Sequence, residues 1–230
     1  MPNVYHYSID RLHEVLDEMI SCGIFSCILF GIPAHKDETG SQAYASDGIV
    51  QRAIRFIKAY DERFYVIGDV CMCEYTSHGH CGILDEHHDV DNDATLPVLS
   101  KSQSAMQLAG IDMVAPSDMM DGHIKALREA LDEAGFTNVA IMGYSAKFAS
   151  SYYGPFREAA DSAPCLAIAK AIRWIIITAE RHEGGAYRYR RRRGHYYDQA
   201  AMSYLDMVSE VHKATNVPIA AYSVSGEYAW

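Results

Sequence analysis

Three cysteines lie close together in one short run of the sequence. The run DVCMCEYTSHGHC contains Cys71, Cys73 and Cys81 in the pattern Cys-x-Cys-x7-Cys. Thiolates are preferred ligands of Zn²⁺, and three of them around a tetrahedral ion leave the fourth position open. An open position is typical of a catalytic zinc, which polarises a carbonyl or activates water. His78 and His80 are candidates for the fourth ligand or for proton transfer. The alternative of three unrelated loop cysteines is disfavoured by the spacing.

A second candidate for chemistry is Lys147, which follows a predicted strand in the run IMGYSAKFASSYYGPFREAADSAP. An amine that an apolar surround keeps neutral can attack a carbonyl and form a Schiff base. Five nearby aromatic residues are candidates for that surround: Tyr144, Phe148, Tyr152, Tyr153 and Phe156. Arg157 has the fork geometry that binds a carboxylate. On the local pattern alone, a solvated surface lysine is the more common interpretation.

The rest of the composition limits the class of protein. The chain has 230 residues, 49% of them hydrophobic, which is enough for a sizeable core. Its net charge of −10 argues against nucleic acid or an anionic membrane as a partner. No apolar run approaches the roughly 18 residues of a membrane helix, and the first residues do not resemble a signal peptide. These features predict a cytoplasmic protein whose six cysteines are thiols or metal ligands.

Apolar runs that are typical of buried strands alternate with patterns of helical spacing. Five strands are predicted: Ile24–Phe30, Phe64–Val70, Met113–Ala115, Val139–Tyr144 and Val217–Tyr222. Helices are predicted between them, including Gly48–Tyr60, Ser104–Leu108 and Asp121–Ala134. This alternation predicts an α/β protein with a parallel sheet covered by helices.

Polar residues follow the carboxyl ends of several predicted strands. They are Asp69 to Cys81, Ser117 with Asp118, Ser145 to Lys147, and Ser225. A TIM (β/α)8 barrel builds its active site in this way, from loops at one end of the barrel. Such barrels have about 250 residues and eight strands. We therefore expect residues 1–230 to form a single barrel domain that is incomplete in this chain.

Several long motifs resemble the porphobilinogen synthase family, also called delta-aminolevulinic acid dehydratase. Besides the cysteine and lysine runs, they are LFGIPAHKDETGSQAY, VAPSDMMDG, YLDM and YSVSGEYA, in the family order. The resemblance covers most of Met1–Pro164 and of Met202–Trp230. It implies a TIM barrel, usually a homo-octamer, that condenses two molecules of 5-aminolevulinate into porphobilinogen for tetrapyrrole synthesis.

The resemblance also implies roles for individual residues. Lys147 matches the first Schiff-base lysine of the family, and the three cysteines match its zinc triad. Arg157 and Ser225 match positions that hold substrate carboxylates. Asp69, Ser117 and Asp118 match active-site loops without a definite role. An allosteric Mg²⁺ site is a further option that the family raises.

The sequence departs from the family at both ends and in one internal segment. The family has an arm and a first strand before the position of Met1, and a closing segment after Trp230, so we expect a truncated chain. The segment Cys165–Ala201 does not match. Counting back from Tyr204, the family's second Schiff-base lysine falls on Gln199, which has no nucleophilic amine.

We hypothesise that this segment was translated in the wrong reading frame. Codons for Ile172–His182, read from their third bases, can give Gln-Met-Asp-Tyr-His-Asn-Gly-Arg-Glu-Ala, which resembles the family in this region. Codons for Tyr189–Ala201, read from their second bases, can give a family-like string that ends in Ile-Lys-Pro. The arginine run Arg190–Arg193 would then be a by-product, and not a nucleic-acid patch. Sequencing the encoding DNA tests this hypothesis, and codons unable to give these strings would refute it.

Two other functions fit parts of the sequence. One is an aldolase-type lyase that uses Lys147 alone, which leaves the cysteines unexplained. The other is a catalytically impaired, zinc-binding fragment of the dehydratase. Borohydride trapping with aminolevulinate or with sugar phosphates separates the first from the dehydratase, and an assay for the pyrrole product separates the second.

Overall fold

The computed structural model describes residues 5–147, 154–155, 159–161, 195–199, 201–224 and 227. Within this part of the chain, six strands form one parallel sheet in the order β1 to β6. They are β1 (Ser26–Leu29), β2 (Tyr65–Val70), β3 (Met113–Pro116), β4 (Ala140–Lys147), β5 (His195–Gln199) and β6 (Ile219–Tyr222). Each strand therefore pairs with the next one along the chain.

Five α-helices are described. They are α1 (Leu12–Ser21), α2 (Ile49–Tyr60), α3 (Asn92–Leu108), α4 (His123–Glu133) and α5 (Leu205–Ala214). Short 3₁₀ turns precede α1 at Ile9–Arg11 and α5 at Ala201–Tyr204. None of the helices in the described part of the chain combines the length and the apolar character needed to cross a lipid bilayer.

The sequential order of parallel strands is that of a (β/α)8 barrel. In an open doubly wound sheet the order reverses at a switch point, whereas a barrel winds in one direction. Six of the eight strands of such a barrel are present in the described residues. The expected fold class, an incomplete TIM barrel, is confirmed.

The sequence pattern did not predict β5. This short strand directly follows the arginine run and lies in a segment that matched no family motif. The tyrosines Tyr196 and Tyr197 were the available signal, since aromatic residues favour strands. The structure pairs β5 with β4 on one side and with β6 on the other. The prediction of five strands was therefore one short.

Helix α3 also differs from the sequence prediction. It begins at Asn92, although only Ser104–Leu108 was expected to be helical. Pro97 lies inside the helix and was misleading, since proline usually ends a helical pattern. The true start is marked by Asp91, whose carboxylate accepts a hydrogen bond of 2.9 Å from the backbone N–H of Ala94.

The core has one layer on each face of the sheet. Ile54, Leu99 and Leu127 of the helices are fully buried against the outer face. Ala115, Met142 and Tyr144 are buried on the inner face, the interior of the barrel. Because successive side chains of a strand point to opposite faces, Val114 packs under the helices while Ala115 faces inward.

The outer layer provides a test of the packing. Leu127→Ala should lower the free energy of unfolding by roughly 2–5 kcal/mol, because it leaves a cavity under α4. Leu108→Ala is the matched control, since Leu108 is 78% exposed and its loss should have little effect. Urea denaturation followed by circular dichroism measures both. Equal losses of stability would show that Leu127 is not a core residue.

Candidate active site

The predicted site residues meet at the carboxyl ends of three neighbouring strands. Cys71 directly follows β2, Ser117 directly follows β3, and Lys147 is the last residue of β4. The backbone N–H of Ser117 donates a hydrogen bond of 3.2 Å to the carbonyl of Val70. This bond continues the pairing of β2 with β3 and brings the loops after the two strands together.

The three cysteines form a compact cluster. Their Sγ atoms all lie within 4.8 Å of one another, and those of Cys71 and Cys73 are 3.4 Å apart. Cys71 and Cys81 are buried, and Cys73 is partly buried. In the described part of the chain, this is the only group of three or more potential ligands close enough to hold a metal ion. The sequence pattern alone suggested this convergence, and the geometry shows it.

The loop that carries the cysteines is held by the loop after β1. Asp37 forms a parallel bridge with Thr76, and its carbonyl accepts a hydrogen bond of 2.9 Å from the N–H of Ser77. The Asp37 carboxylate accepts hydrogen bonds from Ser41 and Thr39, which lower its pKa to about 2. This carboxylate is therefore ionised at neutral pH and fixes the loop on which the thiol loop rests.

The two histidines of the run are not part of the thiol cluster. His78 Nε2 is 3.2 Å from the carbonyl oxygen of Glu38, and the ring centroids of His78 and His80 are 5.5 Å apart. His80 is buried, and burial lowers its pKa. Its Nε2 has no hydrogen-bond partner among the described residues. The option of a histidine as fourth metal ligand gains no support from this geometry.

Lys147 is buried, with 7% of its surface exposed. Its Nζ donates a hydrogen bond of 2.7 Å to the main-chain carbonyl of Ser117. It also lies 5.5 Å from the centroid of the Tyr144 ring, within the range of a cation–π contact. The interpretation of Lys147 as a solvated surface residue is therefore wrong. The other predicted aromatic neighbours (Phe148, Tyr152, Tyr153 and Phe156) lie outside the described residues.

Two buried carboxyl groups share this region. Burial raises the pKa of Asp69 well above its usual value, and the nearby Glu74 and Cys71 add to the effect. Burial, followed by the neighbouring Cys71, raises the pKa of Glu74 to about 7. The positive charge of Lys147 opposes both shifts. Both acids are thus within electrostatic reach of the lysine as well as of the thiols.

The thiols are not readily ionised without a metal ion. The contact with Cys73 lowers the pKa of Cys71, but the contact with Cys81 and burial outweigh it and raise the pKa to about 12. Hydrogen bonds with Cys71 and Cys81, together with burial, raise the pKa of Cys73 well above its usual value. A bound cation would reverse this situation, because metal ions bind thiols as thiolates and displace their protons.

The structure gives less information on three further residues from the sequence analysis, Arg157, Ser225 and Gln199. Arg157 and Ser225 lie outside the described residues, as does most of the segment Cys165–Ala201. Near Ser225, the Glu227 carboxylate accepts hydrogen bonds of 2.7 and 2.6 Å from the N–H groups of Met202 and Val224. Gln199 lies opposite Lys147 in the register of β4 and β5. The proposed position of the second lysine is thus on the neighbouring strand, at the same end of the sheet.

Sequence reasoning missed two features of the site. Glu74 was not singled out, although it stands next to Cys73, whose Sγ is 3.2 Å from Glu74 Oε2. His123 was also missed, because nothing in its local pattern showed that it contacts Asp118. A buried side-chain contact of this kind becomes visible only when the loop between β3 and α4 is folded.

The fold and the grouping of a buried lysine with a thiol triad that could hold a metal ion are typical of a (β/α)8-barrel enzyme. The sequence profile of the family "delta-aminolevulinic acid dehydratase" matches residues 1–178 and 199–230. The chain therefore belongs to the delta-aminolevulinic acid dehydratase family. The unmatched residues 179–198 fall inside the segment 165–201 in which the sequence analysis found no resemblance, and the profile does match residues 165–178 and 199–201 of that segment.

Individual relatives agree with this assignment. The chain is 43% identical over 237 aligned positions to the delta-aminolevulinic acid dehydratase of Staphylococcus epidermidis, covering 100% of this chain and 71% of that protein. It is 44% identical to the Staphylococcus aureus enzyme, with 72% of that protein covered. The crystal structure of the Toxoplasma gondii enzyme in complex with porphobilinogen superimposes with a TM-score of 0.94 at 34% identity. The superposition covers 100% of this chain and 66% of the Toxoplasma gondii chain, so this chain spans about two thirds of the length of that protein.

Proposed function

We propose that this chain is a porphobilinogen synthase, which condenses two molecules of 5-aminolevulinate into porphobilinogen with loss of water. The proposal depends on one observation. Lys147, whose Nζ is held by a hydrogen bond to the carbonyl of Ser117, lies close enough to the Cys71 thiol for the two groups to interact electrostatically. Each substrate molecule has a ketone, an amine and a carboxylate. A site that joins two such molecules needs a nucleophile for one ketone and an electrophile for the other, close enough for the carbons to meet.

Lys147 supplies the nucleophile. In its unprotonated form, Nζ attacks the ketone carbon of one substrate, and the carbinolamine then loses water to leave an imine between Nζ and that carbon. The imine withdraws electrons from the neighbouring carbon and so assists its deprotonation. The Ser117 carbonyl orients the amine before attack, because Nζ is tied to it at 2.7 Å.

The buried acids are the groups that can hold protons during these steps. Glu74, whose pKa burial and the neighbouring Cys71 raise to about 7, can carry a proton near neutral pH and release it. Burial raises the pKa of Asp69 in the same direction, which favours its protonated form. Asp69 also has one carboxylate oxygen, Oδ1, that is buried without a hydrogen-bond partner among the described residues. That oxygen is available to a substrate group.

Cys71, Cys73 and Cys81 would hold a Zn²⁺ ion. Sulfur atoms bound to zinc at about 2.3 Å in a tetrahedron lie about 3.8 Å apart. The three Sγ atoms, all within 4.8 Å of one another, need only small movements to reach that spacing. When bound, zinc would supply Lewis acidity toward the second substrate's carbonyl and a coordination position for its amine.

A colorimetric assay for the pyrrole product tests the proposal. The chain, reduced and supplied with Zn²⁺ and 5-aminolevulinate, should form porphobilinogen, and a chelator should stop the reaction. A chain that binds zinc and forms an aminolevulinate adduct on Lys147 without producing a pyrrole would contradict the full activity.

That last result is the signature of a second candidate function, an impaired zinc-binding fragment of the enzyme. It is favoured by Gln199, which occupies the sheet position opposite Lys147 where the family resemblance places a second lysine. An amide cannot form an imine. Gln199→Lys should then raise pyrrole formation from background, and no change in that variant would count against the fragment hypothesis.

We also propose self-association, with a homo-octamer as the assembly that the family resemblance implies. Light scattering after size-exclusion chromatography gives the mass of the particle, and a particle of one chain mass would refute the assembly.

The additional Mg²⁺ site and the cytoplasmic location remain predictions from the sequence. Sedimentation with and without Mg²⁺ would test the first of these.

A further inference from the structure

The loop between β3 and α4 contains a buried histidine–aspartate contact that the proposed chemistry does not use. His123 Nδ1 lies 2.8 Å from both carboxylate oxygens of Asp118, and both side chains are 0% exposed. Asp118 Oδ1 also accepts a hydrogen bond of 2.7 Å from the backbone N–H of Met120. Burying a carboxylate so completely is costly unless its oxygens have such partners.

This pair stands directly beside the group that holds the candidate nucleophile. Asp118 is the next residue after Ser117, whose carbonyl accepts the hydrogen bond from Lys147 Nζ. His123 is the first residue of α4, so the pair joins the end of β3 to the start of that helix. The pair is therefore separated from the Ser117 peptide by no more than one residue of backbone.

The backbone within the loop needs a restraint of this kind. Met119 has φ of 73° and is buried, a conformation that side-chain-bearing residues rarely adopt. Gly122, which precedes α4, has φ of 79°. A strained backbone persists only where its surroundings fix it. Here the carboxylate of Asp118 binds both the N–H of Met120, just after the strained residue, and the ring of His123.

We propose that the Asp118–His123 pair is a positioning device for Lys147. It fixes the loop so that the Ser117 carbonyl holds Nζ in the orientation needed to attack a ketone. This inference rests on the proposed function for the meaning of that attack, but the placement of Nζ can be measured without substrate. His123 acts through Asp118 and Ser117, and it does not touch the reacting atoms.

The test compares the wild-type chain with three variants. His123→Leu removes the hydrogen bond, and His123→Asn retains a donor near the position of Nδ1. Arg128→Gln is the matched destabilised control. Arg128 donates hydrogen bonds of 2.6 and 2.8 Å to the carbonyls of Val139 and Phe136, near the opposite end of β4 from Lys147.

The first readout is trace acetylation by acetic anhydride, with the Lys147 peptide quantified by mass spectrometry. Lys213, whose side chain is 66% exposed on α5, serves as the internal reference. His123→Leu should raise acetylation of Lys147 severalfold, because Nζ is released from the Ser117 carbonyl. His123→Asn and Arg128→Gln should leave it near the wild-type value.

The second readout is the rate at which borohydride traps 5-aminolevulinate on Lys147. A misplaced nucleophile should slow trapping by about 10- to 100-fold in His123→Leu, while the half-saturating substrate concentration changes little. His123→Asn should recover most of the rate. Arg128→Gln should trap at the wild-type rate despite its lower stability.

Wild-type acetylation of Lys147 in His123→Leu would overturn the inference, as would equal behaviour of the Leu and Asn variants. Failure of the proposed function would give a different result: the wild-type chain would form no aminolevulinate adduct on Lys147. The acetylation pattern still decides the positioning role in that case.

Discussion

Lys147→Met should abolish the borohydride-stable adduct with 5-aminolevulinate and lower any pyrrole formation by about 10⁴-fold or more. Methionine fills a similar volume but has no amine, so the bond between Nζ and the substrate carbon cannot form. The adduct is measured by mass spectrometry after reduction, and the modified peptide identifies the lysine.

Two companion variants separate the amine from other properties of this side chain. Lys147→Arg keeps a cation and a donor for the Ser117 carbonyl, yet it should also fail, because a guanidinium does not form the imine. Lys58→Met removes another partly buried lysine, which pairs with Asp112 and with the carbonyl of Phe64 at the start of β2. It should retain the adduct. An undiminished adduct in Lys147→Met would show that another lysine is the nucleophile.

Cys73→Ala should weaken Zn²⁺ binding by more than about 100-fold, because it removes one of the three protein ligands of the proposed site. Competition with a chromophoric chelator measures the affinity, and elemental analysis gives the stoichiometry, which should be one ion per wild-type chain. Pyrrole formation should fall with the zinc content.

Cys22→Ala is the matched control for this variant. Cys22 is exposed at the end of α1 and is not part of the thiol cluster, so its loss should leave zinc binding unchanged. Cys73→Ala should still form the aminolevulinate adduct on Lys147, since imine formation needs only the amine and a proton carrier. Wild-type zinc affinity in Cys73→Ala would remove the triad from the metal site.

Together these variants divide the site into two separable parts. Lys147 variants should bind zinc without an adduct, and Cys73→Ala should form an adduct without zinc. The structure places both parts at one end of the sheet, because β2, β3 and β4 are parallel neighbours whose carboxyl ends lie at the same edge of the sheet. That shared location is why the loss of either part should stop the complete reaction.

The sequence by itself determined the fold class and the chemical parts of this protein. Alternating apolar runs and helical patterns predicted parallel strands, because strands buried on both faces are apolar throughout. The spacing of Cys71, Cys73 and Cys81 within one loop predicted a metal site, since short spacing alone brings such ligands together. The position of Lys147 at the end of a strand predicted which end of the sheet would carry the site.

Only the tertiary structure decided how these parts are held. The Lys147 amine is bound by a carbonyl 30 residues earlier in the chain, and no local pattern encodes that contact. The buried Asp118–His123 pair and the raised pKa values of Asp69 and Glu74 likewise depend on burial. Periodicity reports which face of an element is apolar, but burial and charge proximity arise from packing between elements. They therefore become visible only when the strands are paired and the loops closed.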